Sequence, residues 1–302
     1  MKKRILFPVL TAVMAFSCVA FAGCTKDVEL AAYDAQDVLQ EDFGIAVKKG
    51  DAEMLDAVNA VINEWLENGD MDKYFDYYNE LAEEGANPTA PEGLKVTWDL
   101  SGNTEELHLY TESGFAPFEF ASASGYAVSN EVSIAGIDIA IGCQVAENLG
   151  CKLVIHDIAF DTVIQSLTSQ SGKAIAAAGI SITEERLQTV DFSDVYSSST
   201  LTIVCASDKE FKNLADLDGL KIGVQEGTSG DLIASQALNG GYSYTYENDE
   251  GEEVESELVT LGSKTQIVRM KSYSLLIQDL KNGKIDAIFM DKMPALLLIK
   301  NA

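Results

Sequence analysis

The sequence predicts an α/β protein of two lobes, each a sheet flanked by helices. Three observations lead there. The chain has 302 residues, 47% hydrophobic and 23% charged, a globular composition long enough for about two domains. From Leu107 onward, short apolar runs alternate with helical periodicity, the pattern of mixed, mostly parallel sheets. Three polar, glycine-containing stretches follow predicted strands, where open α/β sheets bind ligands.

The elements follow in order. Phe43 to Val47 reads as a short strand, Lys48-Lys49-Gly50 as a turn and Asp51 as an N-cap. Met54, Leu55, Val58, Val61, Ile62, Trp65 and Leu66 recur at helical spacing. Asn68-Gly69-Asp70 stops that helix, and Met71 to Leu81 forms a second. Glu83 to Glu106 is rich in Glu, Gly, Asn and Pro and reads as a linker, with one strand expected at Leu94 to Leu100. Strands are then expected at Leu107–Thr111, Lys152–Ile155, Ala174–Gly179, Thr200–Ala206, Lys221–Gln225 and Ala287–Met290. Helices fall between them, one marked by Ile137, Ile141, Val145 and Leu149, and another capped by Asp161. Further helices are expected at Asp231–Leu238, Ser272–Lys281 and Pro294–Lys300. Tyr242 to Leu261, with its acidic centre, breaks the rhythm as an exposed hairpin.

Composition removes several functions. The formal charge is −27, from 48 acidic and 21 basic residues, so a phosphate backbone would be repelled and nucleic acid is not an expected partner. With two histidines and no histidine–cysteine cluster, neither a metal site nor a cofactor is expected. Met1-Lys2-Lys3-Arg4 and the apolar run Ile5 to Ala22 have the layout of a secretory leader, with a membrane-spanning helix as the competing reading. Phe21-Ala22-Gly23-Cys24 resembles the lipobox of bacterial lipoproteins, which implies lipidation of Cys24 and attachment to the outer face of the cell membrane. Cys143, Cys151 and Cys205 then remain; export permits a Cys143–Cys151 disulfide, and buried free thiols are the alternative.

Three stretches carry the binding chemistry. The first is Thr111-Glu112-Ser113-Gly114-Phe115-Ala116-Pro117-Phe118-Glu119-Phe120. The second runs from Ala177-Ala178-Gly179-Ile180-Ser181 through Thr183-Glu184-Glu185-Arg186 to Val190-Asp191-Phe192-Ser193-Asp194. The third is Gly223-Val224-Gln225-Glu226-Gly227-Thr228-Ser229-Gly230, with Phe289-Met290-Asp291 downstream. The loop Gly227 to Gly230 opens a helix, whose free N–H groups and dipole suit a carboxylate.

Together these motifs resemble the polar amino-acid solute-binding proteins of ABC importers, the type II periplasmic-binding-protein (Venus-flytrap) fold of bacterial family 3. The resemblance implies that Arg186 holds a ligand α-carboxylate, aided by the Thr228 and Ser229 amides. Asp291, the Gly179 carbonyl and the Ser181 hydroxyl would take the α-ammonium. Phe115 and Phe160 would sandwich the side chain, with Glu112 and Gln225 at its far end. The physics agrees, because a zwitterion needs one fixed positive and one fixed negative partner, and arginine suits a bidentate carboxylate. Glu112 favours a basic or amide side chain, so arginine leads, then lysine or histidine, with glutamine close behind and cystine possible.

One departure concerns chain order. In the family, a stretch like Asp42 to Asp51 with its two helices comes last; here it comes first, and the chain ends just after the helix that follows Asp291. The sequence thus resembles a circular permutation. The expected organisation is a signal peptide over 1–23, a lobe-two segment over 24–42, lobe one over 43–203 with the linker 83–106, and lobe two over 204–302. Crossings between lobes are expected near Glu41–Phe43 and Thr202–Cys205. The partners implied are an amino acid, the membrane permease of an ABC transporter and, through the lipid, the membrane, with the protein a monomer. The competing functions are an enzyme on the same fold, dehydratase-like, for which Glu112 is the one candidate acid or base, and an amino-acid sensor ectodomain. His108 and His156 read as structural.

Overall fold

The structure, a computed structural model, describes residues 28–95, 98–100, 102–128, 132–247 and 251–302. The leader, Cys18 and Cys24 lie outside the described residues. In chain order the elements are β1 (Leu30–Asp34), β2 (Glu41–Phe43), β3 (Ala46–Lys48), α1 (Ala52–Asn68), α2 (Asp70–Leu81) and β4 (Glu106–Thr111). Next come β5 (Gly114–Phe115), β6 (Glu119–Ala127), β7 (Ser133–Ala135), α3 (Ile137–Asn148), β8 (Lys152–Asp157), α4 (Val163–Ser169) and β9 (Lys173–Ala176). They continue with α5 (Glu184–Leu187), β10 (Val190–Phe192), β11 (Ser197–Ser199), β12 (Leu201–Ala206), β13 (Lys221–Gln225) and α6 (Ser229–Asn239). The last are β14 (Thr245–Glu247), β15 (Glu253–Glu255), β16 (Gln266–Met270), α7 (Tyr273–Lys281), β17 (Ala287–Asp291) and α8 (Lys292–Lys300).

Two five-stranded sheets organise these elements. One has the order β10-β3-β9-β4-β8, the other β1-β12-β17-β13-β16. Both are mixed. β4 runs parallel to β8 and β9, and β13 parallel to β16 and β17, while β3, β10, β1 and β12 pair antiparallel. Between the sheets, β2 and β11 pair with Phe43 opposite Ser197. The chain enters the first sheet through β2 and leaves it through β11. The second crossing therefore falls at Ser197–Ser199, ahead of Thr202–Cys205, which lies inside β12 and is held there by β1 and β17.

Helix α1 forms for the expected reasons. Asp51 caps it by accepting from the Met54 N–H at 3.2 Å, and Gly69 ends it at φ 74°, a conformation that favours glycine. Its apolar stripe buries Met54, Val58, Val61, Ile62 and Trp65 against α3. Each such side chain, fully buried, contributes about 1.5–3 kcal/mol. Trp65 meets Tyr74 of α2 edge-on at 4.9 Å, which fixes the two helices against each other.

Several local expectations change. None of the described residues in 94–100 is in a strand; Leu94 and Leu100 instead enter the core and Trp98 packs against it, so the linker is anchored by apolar side chains rather than by a ladder. Asp161 does not cap α4. It sits in a 3₁₀ turn over Phe160–Thr162, Thr162 takes the N-cap position, and the Asp161 carboxylate faces Lys271 instead. Cys143, Cys151 and Cys205 are buried free thiols, so Cys143 and Cys151 form no disulfide. Tyr242–Leu261 does carry a hairpin, with β14 paired antiparallel to β15. His108 and His156 lie side by side on β4 and β8, ring nitrogens 2.8 Å apart, and both stand away from the cavity described next. No helix among the described residues is long and apolar enough to cross a membrane.

Candidate functional site

The carboxyl ends of β4, β9, β13 and β17 converge on one small cavity. It is lined by Glu112, Phe115, Phe160, Ala178, Gly179, Ser181, Gln225, Thr228, Ser229 and Asp291. Every residue nominated from the sequence is there except Arg186, and Ala178 is added.

The first wall is largely aromatic. Glu112 leaves the end of β4, and Phe115 follows on β5. The Phe115 ring stacks on Phe118 at 5.4 Å and on Tyr273 of α7 at 6.2 Å, so its orientation is fixed from both sheets. Gly179 has φ +52°, and a Cβ there would lie 2.4 Å from the Phe115 ring; only glycine lets the chain pass. Its N–H donates to Asp138 Oδ2 at 2.9 Å, and Asp138 Oδ1 accepts from the Tyr196 hydroxyl at 2.5 Å. Asp138 stands in the first turn of α3, where a negative charge is favoured, yet burial raises its pKa to about 6.

Arg186 is placed by a one-turn helix, α5, whose N-cap Thr183 accepts from the Arg186 N–H at 3.2 Å. Two of its guanidinium N–H groups are engaged by backbone carbonyls. It donates to the Ser181 carbonyl at 2.7 Å and to the Gly227 carbonyl at 3.1 Å, which ties the two lobes together. The Phe160 ring covers it, 5.6 Å from Cζ, a cation–π contact. Phe160 is thus committed to Arg186 as much as to the cavity.

The second wall is polar. Gln225 ends β13 and donates to Glu112 Oε2 at 3.0 Å and to the Lys271 carbonyl at 2.9 Å. Thr228 is the N-cap of α6, its side chain accepting from the Asp231 N–H. The first-turn amides of α6 begin at Ser229 and lack partners inside the helix. Gly230 brings α6 so near β17 that a Cβ would lie 2.9 Å from the Phe289 carbonyl oxygen. Asp291, at the end of β17, is 3% exposed, and its Oδ1 is buried with no hydrogen-bond partner. Burial, and then the Glu41 carboxylate, push its pKa well above the usual range. An unpartnered buried carboxyl in a cavity wall is a demand for a donor or a cation.

Sequence reasoning missed Glu41, Asp138 and Tyr273. Glu41 Oε2 accepts from the Ser229 hydroxyl at 2.8 Å, although it stands 188 residues away in the chain. Asp138 acts through Gly179. Tyr273 is buried under Phe115 with its hydroxyl unpartnered. No motif marks these positions, because each gains its place through a tertiary contact. Outside the cavity, Lys271 bridges the lobes, its Nζ 2.8 Å from both Asp161 and Glu226.

Residues 107–227 match the model of the bacterial extracellular solute-binding proteins, family 3. The arginine-binding extracellular protein ArtP of Bacillus subtilis is 26% identical over 191 residues, 63% of each chain, so this chain spans about two thirds or less of that relative. Holo ArgBP from T. maritima is 29% identical with a TM-score of 0.50, covering 64% of this chain and 72% of that one. An ancestral arginine-binding protein bound to arginine is 28% identical with a TM-score of 0.52, covering 65% and 74%. The fold is the two-lobed type II periplasmic-binding-protein fold. The segment that matches that family model carries Glu112, Phe115, Phe160, Gly179, Ser181, Arg186 and Gln225.

Proposed function

We propose that this protein captures a basic amino acid between its two lobes, outside the cytoplasm, and hands it to the membrane permease of an ABC importer. The observation that carries this reading is the buried, unpartnered Asp291 Oδ1 in a cavity that also holds Glu112. Two carboxyls suit a ligand with two positive groups. Asp291, the Gly179 carbonyl and Ser181 take the α-ammonium; Arg186, Thr228 and Ser229 take the α-carboxylate. Phe115 and Phe160 flank the side chain, and Glu112 with Gln225 meets its end. The Arg186 bonds to Ser181 and Gly227 use two of the five guanidinium N–H donors, and the others are available to a carboxylate when the lobes close around the ligand. Arginine leads, followed by lysine or histidine and then glutamine; the arginine-binding names of the relatives support the order. The protein acts by binding alone. Glu112, the candidate acid of a dehydratase-like reading, is already held by Gln225.

In the same proposal the protein is a monomer anchored through lipid on Cys24, and its chain is circularly permuted, with lobe one running from 43 to the crossing strand β11 and lobe two comprising 24–42 and the chain from β12 to 302. Strand order supports this, since β1 completes a sheet whose other strands lie between Leu201 and Asp291. The length of the matched segments does too: 191 residues is close to the span 107–302, the part that would keep the family's order. Calorimetry on the ligand-free protein with each amino acid tests the function. Arginine should bind in the micromolar range or better. A preference for glutamate, or no heat with any amino acid, would overturn it.

A further inference from the structure

The hairpin that breaks the strand–helix rhythm borders a second, wider groove. One side of it is α5, with Glu184 and Glu185; the other is α6 and the start of the hairpin, with Leu232, Ile233 and Tyr244. Leu39 and Val195, 44% and 40% exposed, add apolar surface. Its exposed charges are Asp42, Glu184 and Glu185, and among the described residues no lysine or arginine lines it. Arg186, next to the two glutamates in the chain, turns its guanidinium to the Ser181 and Gly227 carbonyls. Along the hairpin, Glu247, Glu253 and Glu255 are exposed as well. A basic partner is complementary to this surface; a second copy of this chain, with its formal charge of −27, is not.

The hairpin also offers backbone. Among the described strands, β14 pairs with β15 alone. Just before β14, the Tyr244 N–H donates to the Ser256 hydroxyl at 3.0 Å, and the Tyr244 carbonyl accepts from the Ser256 N–H at 2.8 Å. Backbone groups alternate in direction along a strand, so those of Ser243 and Thr245, which both line the groove, turn away from β15. Such an edge is a template for another strand. The rings of Tyr242, Tyr244 and Tyr246 follow one another at 5.9 Å. An extended peptide repeats every second side chain over nearly that distance, roughly 6.4–6.8 Å. Tyrosine faces attract cations.

We propose that this groove docks an extended, lysine- or arginine-bearing segment of another protein, which adds as a strand to the outer edge of β14 and lays its cations against the tyrosine rings, Glu184 and Glu185. Main-chain bonds to the edge supply affinity, and the acidic rim selects the sign of the partner. This goes beyond the capture of an amino acid and does not depend on it.

Fluorescence anisotropy with two labelled heptapeptides tests the proposal, one alternating lysine with valine and the other glutamate with valine. The lysine peptide should bind, less tightly as salt is raised, and the glutamate peptide should not. Glu184→Lys combined with Glu185→Lys should weaken the lysine peptide at least about 10-fold. Methylating the backbone nitrogens along one edge of the peptide should weaken it by a similar factor, because strand addition uses those N–H groups, and this arm leaves the protein unaltered. Equal binding of the two peptides, no binding of the lysine peptide, or its indifference to either change would overturn the proposal. Calorimetry with arginine reports on the cavity separately, so either reading can fail without the other.

Discussion

The two walls of the cavity are built on different principles. The wall from the first sheet is held by stacked rings, with Phe115 packed between Phe118 and Tyr273 and Phe160 laid over Arg186. The wall from the second sheet is held by a helix terminus and a strand end, with Ser229 opening α6 and Asp291 closing β17. Stacking fixes a surface without directing charge, so the first wall suits the variable part of a ligand. A strand end and helix amides fix direction and sign, so the second suits the groups every amino acid shares. The difference teaches why Asp291 tolerates an unpartnered oxygen. A buried carboxyl oxygen without a donor is costly, and in the proposed reading an amino acid's ammonium would relieve it.

The largest expected effect breaks that second wall. Asp291→Asn should weaken arginine at least about 100-fold in calorimetry, the scale of losing one partner of a buried charge pair. The same variant should change the ligand-free melting temperature little, because burial and Glu41 already hold the Asp291 carboxyl towards its neutral form. A markedly lower melting temperature would mean that the Asp291 carboxyl supports the fold as well as the ligand.

Next comes the reader of the side chain. Glu112→Gln should weaken arginine roughly 10- to 100-fold and glutamine by much less, since only the guanidinium loses a charge partner. Equal losses would move side-chain recognition away from Glu112.

The support behind the first wall has a pH signature. Burial raises Asp138 from 3.8 to about 6, so the folded protein holds a proton that the unfolded chain has released. Stability should therefore fall as pH rises from about 4 to about 6, by up to about 3 kcal/mol from this group. Asp138→Asn should flatten that slope in denaturant titrations at pH 4, 5 and 6, and should also weaken ligand binding by loosening Gly179. A slope of undiminished size would assign the titration to Glu119, whose two carboxyl oxygens are buried without partners beside Asp138.

Two smaller effects sharpen the contrast between the phenylalanines. Phe115→Leu should cost about 1–3 kcal/mol of stability, because its ring is buried in a stack. Phe160→Leu should cost less than about 1 kcal/mol, the ring being only half-buried, and should show itself in arginine affinity. Lys271→Ala, which removes an exposed cross-lobe ion pair, should change stability by at most about 1 kcal/mol.

Much of this protein was legible from local pattern. Helix α1 needs only its stripe, Asp51 and Gly69, all of which lie within one stretch of chain. The three site loops could be read because each follows an apolar strand and contains the glycines and polar residues that a ligand loop requires. What could not be read depends on distance in the chain. Leu94, Trp98 and Leu100 alternate enough to suggest a strand, but they serve as core anchors instead. Asp161 has the composition of a cap, yet the 3₁₀ turn passes the N-cap position to Thr162 and leaves Asp161 to face Lys271. Arg186 belongs to a recognisable motif, but its bond to the Gly227 carbonyl exists only because two lobes meet there.

By itself, the sequence determined the periodicities, the glycines at Gly179 and Gly227 and the kinds of groups that reach the cavity, because backbone sterics and side-chain chemistry act within a few residues. Only the tertiary structure decided which groups are already engaged. Glu41 meets Ser229 across 188 positions, Asp138 reaches Gly179 across 41, and Asp291 Oδ1 is left without a hydrogen-bond partner. Hydrogen-bond satisfaction is a property of three-dimensional neighbours, and no local pattern encodes it.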